Sequence, residues 1–326
     1  MNLNNLEDLK IEMKKLGFAD KLIEQMEENM RKDVPNFKLY DTVSATKGQV
    51  DLTIHFKQSG QSEFYYLNKY EATHNQGRPL EGGHKYMVIT PNEEGKNMVK
   101  KFENVAEAIT FFKEQKGNSE LAVGKDAAHK IMLANMEKGT INYVAKDFQR
   151  SFYSQPLPQT FWLDHGKGFT KEQGANLVQG RYVYRDDMLS RDGVPYKAWM
   201  QLDTDKERDR QGNLTFRQYA DPAYRFDIKA ILETYKIKEM EDPKKAEALE
   251  ASIRNGNRPL VTVTKEGEQV KMFMETAVRW GKLNFYAENG RPEKREQFLK
   301  EPAMENNLLN GKGKEKENAQ VHEMSR

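Results

Sequence analysis

Between residues 159 and 298, short apolar segments alternate with turn signals and capped helix starts. That alternation confines the chain to folds assembled from hairpins. Thr160 to Leu163 reads as a short strand. Thr170 and Gln173 stand three apart ahead of Ala175, Leu177 and Val178, the spacing of a capping box, and Gly180 closes that helix. Strands at 181–184 and 195–203 flank Arg191-Asp192-Gly193, whose Asp and Gly tolerate turn conformations. Gln211-Gly212-Asn213 turns the chain into a strand at 214–219. A helical pattern covers 227–235, and Asp242-Pro243 opens a further helix that stops at Asn255-Gly256. Strands at 260–264, 270–275 and 282–286 complete the block, which ends at Asn289-Gly290. Hairpin turns outnumber strand–helix–strand crossovers. The expected fold class is therefore α+β, with mainly antiparallel sheets built from hairpins and flanked by helices.

Upstream, Leu3, Leu6, Leu9, Met13 and Leu16 recur at helical spacing until Gly17, and Leu22, Ile23, Met26 and Met30 mark a second helix ending before Pro35. Strands at 50–57 and 63–70 enclose Gln58-Ser59-Gly60-Gln61, a hairpin turn. Residues 1–75 thus read as a helical pair plus a β-hairpin region. Gly and Pro concentrate in residues 75–83, a loop or domain joint. Residues 76–150 read as a small inserted α+β unit. It holds a strand at 85–90, a helix capped by Asn104 over Val105, Ala108, Ile109 and Phe112, a helix at 125–137 and a strand at 140–146. The main α+β domain spans 159–298, and residues 302–326 read as a disordered tail. Residues 54–61 and 260–268 share alternating apolar positions around a polar, Gly-containing turn, which reads as a duplication or, as the favoured reading, as what turn chemistry alone produces.

At 326 residues and 37% hydrophobic content, the chain can bury more than one core. The net charge of +2 supplies no global field toward phosphate or anionic lipid, so any basic site must be local. Without cysteine there are no disulfides, thiolate-bound zinc, iron–sulfur clusters or cysteine nucleophiles. Residues 1–16 are charged throughout, unlike a secretory signal, and no segment reaches the ~20 apolar residues of a membrane span. A cytoplasmic protein with no membrane partner is the expectation.

No catalytic set or cofactor motif stands out. His165, beside Asp164 and two glycines, has the makings of a general base but no adjacent nucleophile, and a strand-to-helix turn is the favoured reading. Gly166, Lys167, Gly168 and Thr170 form a candidate anion-binding loop without phosphate-loop spacing. Asp186 and Asp187, with Asp203 and Asp205, are weak metal candidates, because Arg185, Arg208 and Arg210 offer ion-pair partners instead. No cofactor and no resident metal are expected. Three aromatic–basic pairs suggest stacking with phosphate contact: Tyr65 with Lys69, Lys197 with Trp199, and Arg217 with Tyr219. Ordinary sheet packing is the favoured reading of each pair.

Gly166-Lys167-Gly168-Phe169-Thr170, followed by Asn176-Leu177-Val178-Gln179-Gly180-Arg181-Tyr182-Val183-Tyr184, has the form GxGxT…NLxxGRxVY. Tyr196 to Asp203 has the form YxAWxxLD. Phe226-Asp227-Ile228, Ile237-Lys238-Glu239-Met240, Gly256-Asn257, Leu16-Gly17-Phe18 and the aromatic stretch from Phe64 to Tyr70 belong with them. Together these stretches resemble a family of uncharacterised domains of Bacteroides-type bacteria, commonly encoded on conjugative plasmids and transposons and sometimes beside DNA-processing modules. Tyr224-Arg225-Phe226 departs from its Tyr-Gly-Phe. The resemblance implies mobile-element biology and carries over no activity. The leading expectation is a non-enzymatic accessory protein of a mobile genetic element that binds a macromolecule, a protein ahead of a nucleic acid. The alternatives are a single-stranded nucleic-acid binder using aromatic and basic sheet faces, and a metal-dependent nuclease or hydrolase.

Overall fold

The computed structural model describes residues 2–300 apart from Arg78 and Glu93. The tail expected from residue 302 lies outside the described residues. The protein is α+β, and every strand pairing in its four sheets is antiparallel. Two compact units divide the chain. One holds Met1–Gln179 and Thr204–Thr215, the other Gly180–Asp203 and the described part of Phe216–Arg326.

The first unit opens with helices α1 (Leu3–Lys15) and α2 (Asp20–Arg31) and strands β1 (Asn36–Ser44), β2 (Gln49–Gln58) and β3 (Tyr65–Asn75). It continues with β4 (Lys85–Pro91), β5 (Asn97–Phe102), α3 (Val105–Lys113), β6 (Ser119–Gly124), β7 (Lys130–Glu137), β8 (Thr140–Val144), α4 (Gln149–Tyr153), β9 (Gln159–Trp162) and α5 (Lys171–Val178). One sheet runs β1-β2-β3-β9, and a second runs β5-β4-β6-β7-β8. The second sheet is therefore an excursion between β3 and β9, which pair directly. The helical stripes read from sequence do the covering. Leu6, Leu9 and Met13 of α1, Leu22, Ile23, Met26 and Met30 of α2, and Ala175 and Leu177 of α5 are buried, and all three helices pack on this sheet. Phe37, Ile54, Phe56, Tyr65, Leu67, Tyr70 and Phe161 form the sheet side of the core.

The inserted sheet buries Val88, Leu121, Ala134 and Met136 with Val105, Ala108, Ile109 and Phe112 of α3. Asn104 caps that helix by accepting from the amides of Ala106 and Glu107. The helix expected at 125–137 is instead a turn and a strand. Asp126 accepts from the amides of Ala128 and His129, and β7 then pairs with β6 on one side and β8 on the other. The run Ile131-Met132-Leu133-Ala134 suits either structure, and two waiting strand edges decide it. Strands β1, β5 and β6 carry no expectation from the sequence.

The first unit also takes in residues 159–179, inside the block that the sequence assigns to the main domain. Strand pairing explains this: β9 completes the sheet beside β3. Residues 204–215 follow because Gln159 and the Asn213–Leu214 segment exchange hydrogen bonds. Leu214 N donates to Gln159 Oε1 (2.8 Å), and Thr160 N donates to Asn213 Oδ1 (2.8 Å).

The second unit contains β10 (Val183–Leu189), β11 (Pro195–Leu202), β12 (Phe216–Ala220), α6 (Ile228–Glu233), α7 (Pro243–Arg254), β13 (Leu260–Lys265), β14 (Glu268–Ala277), β15 (Lys282–Tyr286) and β16 (Pro292–Glu293). Its sheets run β10-β11-β12 and β13-β14-β15-β16. Trp199, Phe226, Leu232, Tyr235, Val263, Met274 and Phe285 share its core. The β13–β14 turn places Glu266 and Gly267 at positive φ (51° and 88°), a two-residue hairpin turn. The β2–β3 connection runs from 59 to 64. The likeness between 54–61 and 260–268 therefore ends at the turn. Arg225 has φ 53°, the left-handed region that favours glycine.

Candidate nucleic-acid interface

The β1-β2-β3-β9 sheet has helices on one face. Its other face carries a pattern set by strand register. Lys38 lies opposite His55, His55 opposite Lys69, and Lys69 opposite Trp162. At ~4.8 Å between strands, this transverse row crosses the sheet over ~15 Å. The next row holds Asn36, Lys57 and Tyr66. Both rows line an open groove of about 600 Å³ whose walls contain Lys38, Lys57 and Lys69 and no carboxylate. Trp162 is 60% exposed and Tyr66 40%. The Lys69 ammonium lies 5.8 Å from the Trp162 ring centre.

A bulge in β3 creates this face. His55 pairs with Lys69 but Phe56 pairs with Leu67, so Asn68 is an extra residue and the alternation of side chains resets there. Tyr65 and Leu67 point into the core before the bulge, and Tyr70 and Ala72 after it, leaving Tyr66, Lys69 and Glu71 on the outer face. The Asn68 carbonyl accepts from Leu163 N (2.8 Å), which fixes β9 beside the bulge.

Glu71 borders the groove. Lys69 Nζ donates to it at 2.8 Å, and His55 Nε2 lies 3.1 Å from its other oxygen. The His55 imidazole, and after it the Lys69 ammonium, outweigh burial and hold the Glu71 carboxyl at about 2. At the β1 side, Tyr40 donates to Glu107 of α3 (2.8 Å), and Lys38 Nζ lies 3.7 Å from the same carboxylate. Burial and then the Glu107 hydrogen bond raise the Tyr40 hydroxyl above its ordinary value.

The aromatic–basic pairs expected from sequence fall elsewhere. Tyr65 is fully buried and stands on the opposite face from Lys69, because the bulge separates residues of equal parity. Asn5 clamps its backbone, donating to Tyr65 O (3.0 Å) and accepting from Tyr65 N (2.7 Å). In the second unit Trp199 is 1% exposed, with its ring 5.3 Å from that of Phe226, while Lys197 points outward, so this pair offers no platform. Tyr219 is buried against Tyr182 and Tyr224, and Arg217 pairs with the buried Asp203 (2.5 Å).

The anion-loop candidates are also committed. Thr170 caps α5 by accepting from Gln173 N (3.2 Å), and Gln173 returns the bond to Thr170 N. Lys171 N donates to Leu16 O (3.0 Å), so the helix start holds its own amides. Gly166 and Gly168, at φ 70° and 140°, shape a tight turn in which Asp164 and Lys167 pair through their backbones. His165 is four-fifths exposed, 3.7 Å from Glu12, with no nucleophile beside it. Asp187 is held by two hydrogen bonds from Arg185 (2.6 and 2.9 Å). Asp186 is exposed, and Asp203 and Asp205 fall in different units. Among the described residues, no group of three or more acidic or histidine side chains is placed to hold a metal ion.

Sequence reasoning missed Tyr66, Trp162, Lys38, Lys57 and His55. Alternation within β9 does carry a signal, since burying Phe161 turns Trp162 outward. No helix among the described residues is long and apolar enough to cross a membrane. No protein-family model matches the chain, and neither a curated protein nor a solved structure matches it.

Proposed function

We propose that the chain binds single-stranded nucleic acid across the outer face of β1, β2, β3 and β9. The reading rests on the transverse row Lys38–His55–Lys69–Trp162 and the neighbouring Lys57–Tyr66 pair. Trp162 and Tyr66 offer exposed ring faces on which unstacked bases lie, and every base has such a face. Lys38, Lys57 and Lys69 meet phosphates. The molecule as a whole is nearly neutral, yet the groove holds three ammonium groups and no carboxylate, which favours a polyanion over a protein partner. An open groove on a face ~15 Å across suits an extended strand, whereas duplex bases stay stacked away from it.

Fluorescence anisotropy with labelled oligothymidylate and oligouridylate tests the reading. Binding is expected at about 50 mM salt and weakens with a log–log slope near −2, the value for about three phosphate contacts on a single strand. Trp162→Ala lowers affinity about 5- to 150-fold, the loss of about 1–3 kcal/mol of stacking. Glu71→Gln raises affinity by releasing Lys69. Absence of binding at that salt overturns the proposal, as does affinity unchanged in both Trp162→Ala and the Lys38→Ala/Lys69→Ala double variant.

A further inference from the structure

A second hollow lies within the first unit and shares no lining residue with the groove. It is a cavity of about 60 Å³ between the connection after β3, the strands β4, β6 and β7, and the segment around α4. That is about twice the ~30 Å³ share of one water molecule, room for a group of a few heavy atoms. Exposure separates its depth from its rim. Leu133, Ala145 and Phe148 are buried, while Pro79, Glu81, Ile131 and Asp147 are exposed.

Three buried polar residues, Asn75, Tyr86 and Ser151, also line the cavity. Gly77 passes so close that an added Cβ would stand 2.8 Å from Ser151 Oγ and 3.1 Å from Asn75 Oδ1. The Asn75 amide is committed to the protein. Its oxygen accepts from Gly77 N (3.0 Å) and Ser151 Oγ (3.3 Å), and its nitrogen donates to Asp51 (3.5 Å) and to the Tyr86 hydroxyl. The two hydroxyls on this amide are each half used. Tyr86 receives a hydrogen bond, and its own proton has no acceptor among the described residues. Ser151 gives its proton, and its oxygen has no donor among them. Burial, and after it the charge of Asp51, raises the Tyr86 hydroxyl above its ordinary value, so it stays a donor at neutral pH.

We propose that this cavity binds a compact uncharged alcohol, its hydroxyl between Tyr86 and Ser151 and its aliphatic part against Leu133, Ala145 and Phe148. An alcohol accepts from one hydroxyl and donates to the other, which completes both. An ammonium carries donors only and leaves the Tyr86 proton unmet. A carboxylate carries acceptors only and meets the charge of Asp51 behind Asn75. Among the described residues lining the cavity, none is a lysine or arginine that would offset that charge. Water answers the two hydroxyls but not the apolar wall.

Isothermal titration of the full chain with isobutanol, isobutylamine and isobutyrate at neutral pH tests the proposal. Isobutanol binds saturably, and the amine and the carboxylate bind at least about fivefold more weakly. Tyr86→Phe weakens isobutanol about 2- to 10-fold and leaves the amine unchanged, a selective loss that a merely structural role would not give. Leu133→Phe fills the apolar part and abolishes alcohol binding. Trp162→Ala leaves it unchanged, which separates this cavity from the sheet face. The proposal is overturned if isobutanol fails to bind saturably, as a cavity holding water alone requires. It is overturned equally if isobutylamine or isobutyrate binds as well as the alcohol, or if Tyr86→Phe leaves alcohol affinity unchanged. Should Leu133→Phe unfold, the Tyr86→Phe result and the ligand series decide.

Discussion

Asp51 shows how much a single side chain can be worth in this molecule. It sits on the outer face of β2, 4% exposed, beside Asn75 at the end of β3. Gln49 donates to it at 2.5 Å and Asn75 at 3.5 Å, while the Leu80 amide is tied to Gln49 at 2.7 Å. Burial, only partly offset by the Gln49 and Asn75 hydrogen bonds, pushes the carboxyl from 3.8 up to about 6. A raised acid binds its proton more tightly when folded, so stability falls as pH rises from about 4 to about 6, and the full penalty is present above that. Two pH units correspond to about 2–3 kcal/mol. Asp51→Asn is therefore expected to stabilise the protein at pH 8 and to do little at pH 4, as read by urea denaturation at both. Equal effects at the two values would refute the assignment. The sequence shows an Asp within an apolar run, but not that it is buried against Gln49 and Asn75. Tyr65 and Tyr66 were legible as aromatic strand residues, yet which of them faces solvent depends on a bulge that single-sequence alternation does not reveal.

At the scale of elements, what local chemistry specifies was readable. The Thr170–Gln173 capping box, the Asn104 and Asp242 caps, and the Glu266–Gly267 turn all fall where short-range patterns place them. Elements defined by their neighbours were not. Strand β1 alternates weakly and exists because β2 offers it an edge, while residues 130–137 take up strand structure between β6 and β8. Missing β1 also concealed Lys38, one end of the proposed row. The contact between α5 and β3 shows the same dependence. Gly174 lies where an added Cβ would run into the Tyr70 hydroxyl. That hydroxyl donates to the carbonyls of Thr170 (2.8 Å) and Phe169 (3.1 Å), so the ring has no room to retreat. Alanine ordinarily favours a helix over glycine by ~1 kcal/mol. Here Gly174→Ala is expected to lower stability by about 1–3 kcal/mol, through overpacking. A thermal midpoint at or above that of the parent would show that the helix is free to shift.

For the whole molecule, near-neutral composition conceals local polarity. Lysines gather on one sheet face of the first unit while Glu71 and Glu107 stand at its borders, and in the second unit two arginines share one carboxylate. The two-unit division follows strand pairing rather than the chain's punctuation, which is why residues 159–179 join the first unit. Fold class was legible because hairpin turns are local signals. The proposed interface was not, because it consists of side chains from four strands brought into line only by register. Photo-crosslinking of the full chain to a thymidine-rich single strand, followed by peptide mapping, addresses that register directly. Adducts are expected on Trp162 and Tyr66, in the peptides of β9 and β3, and are lost with Trp162→Ala/Tyr66→Ala. Adducts confined to other strands, or none under conditions where the strand is bound, would contradict the account.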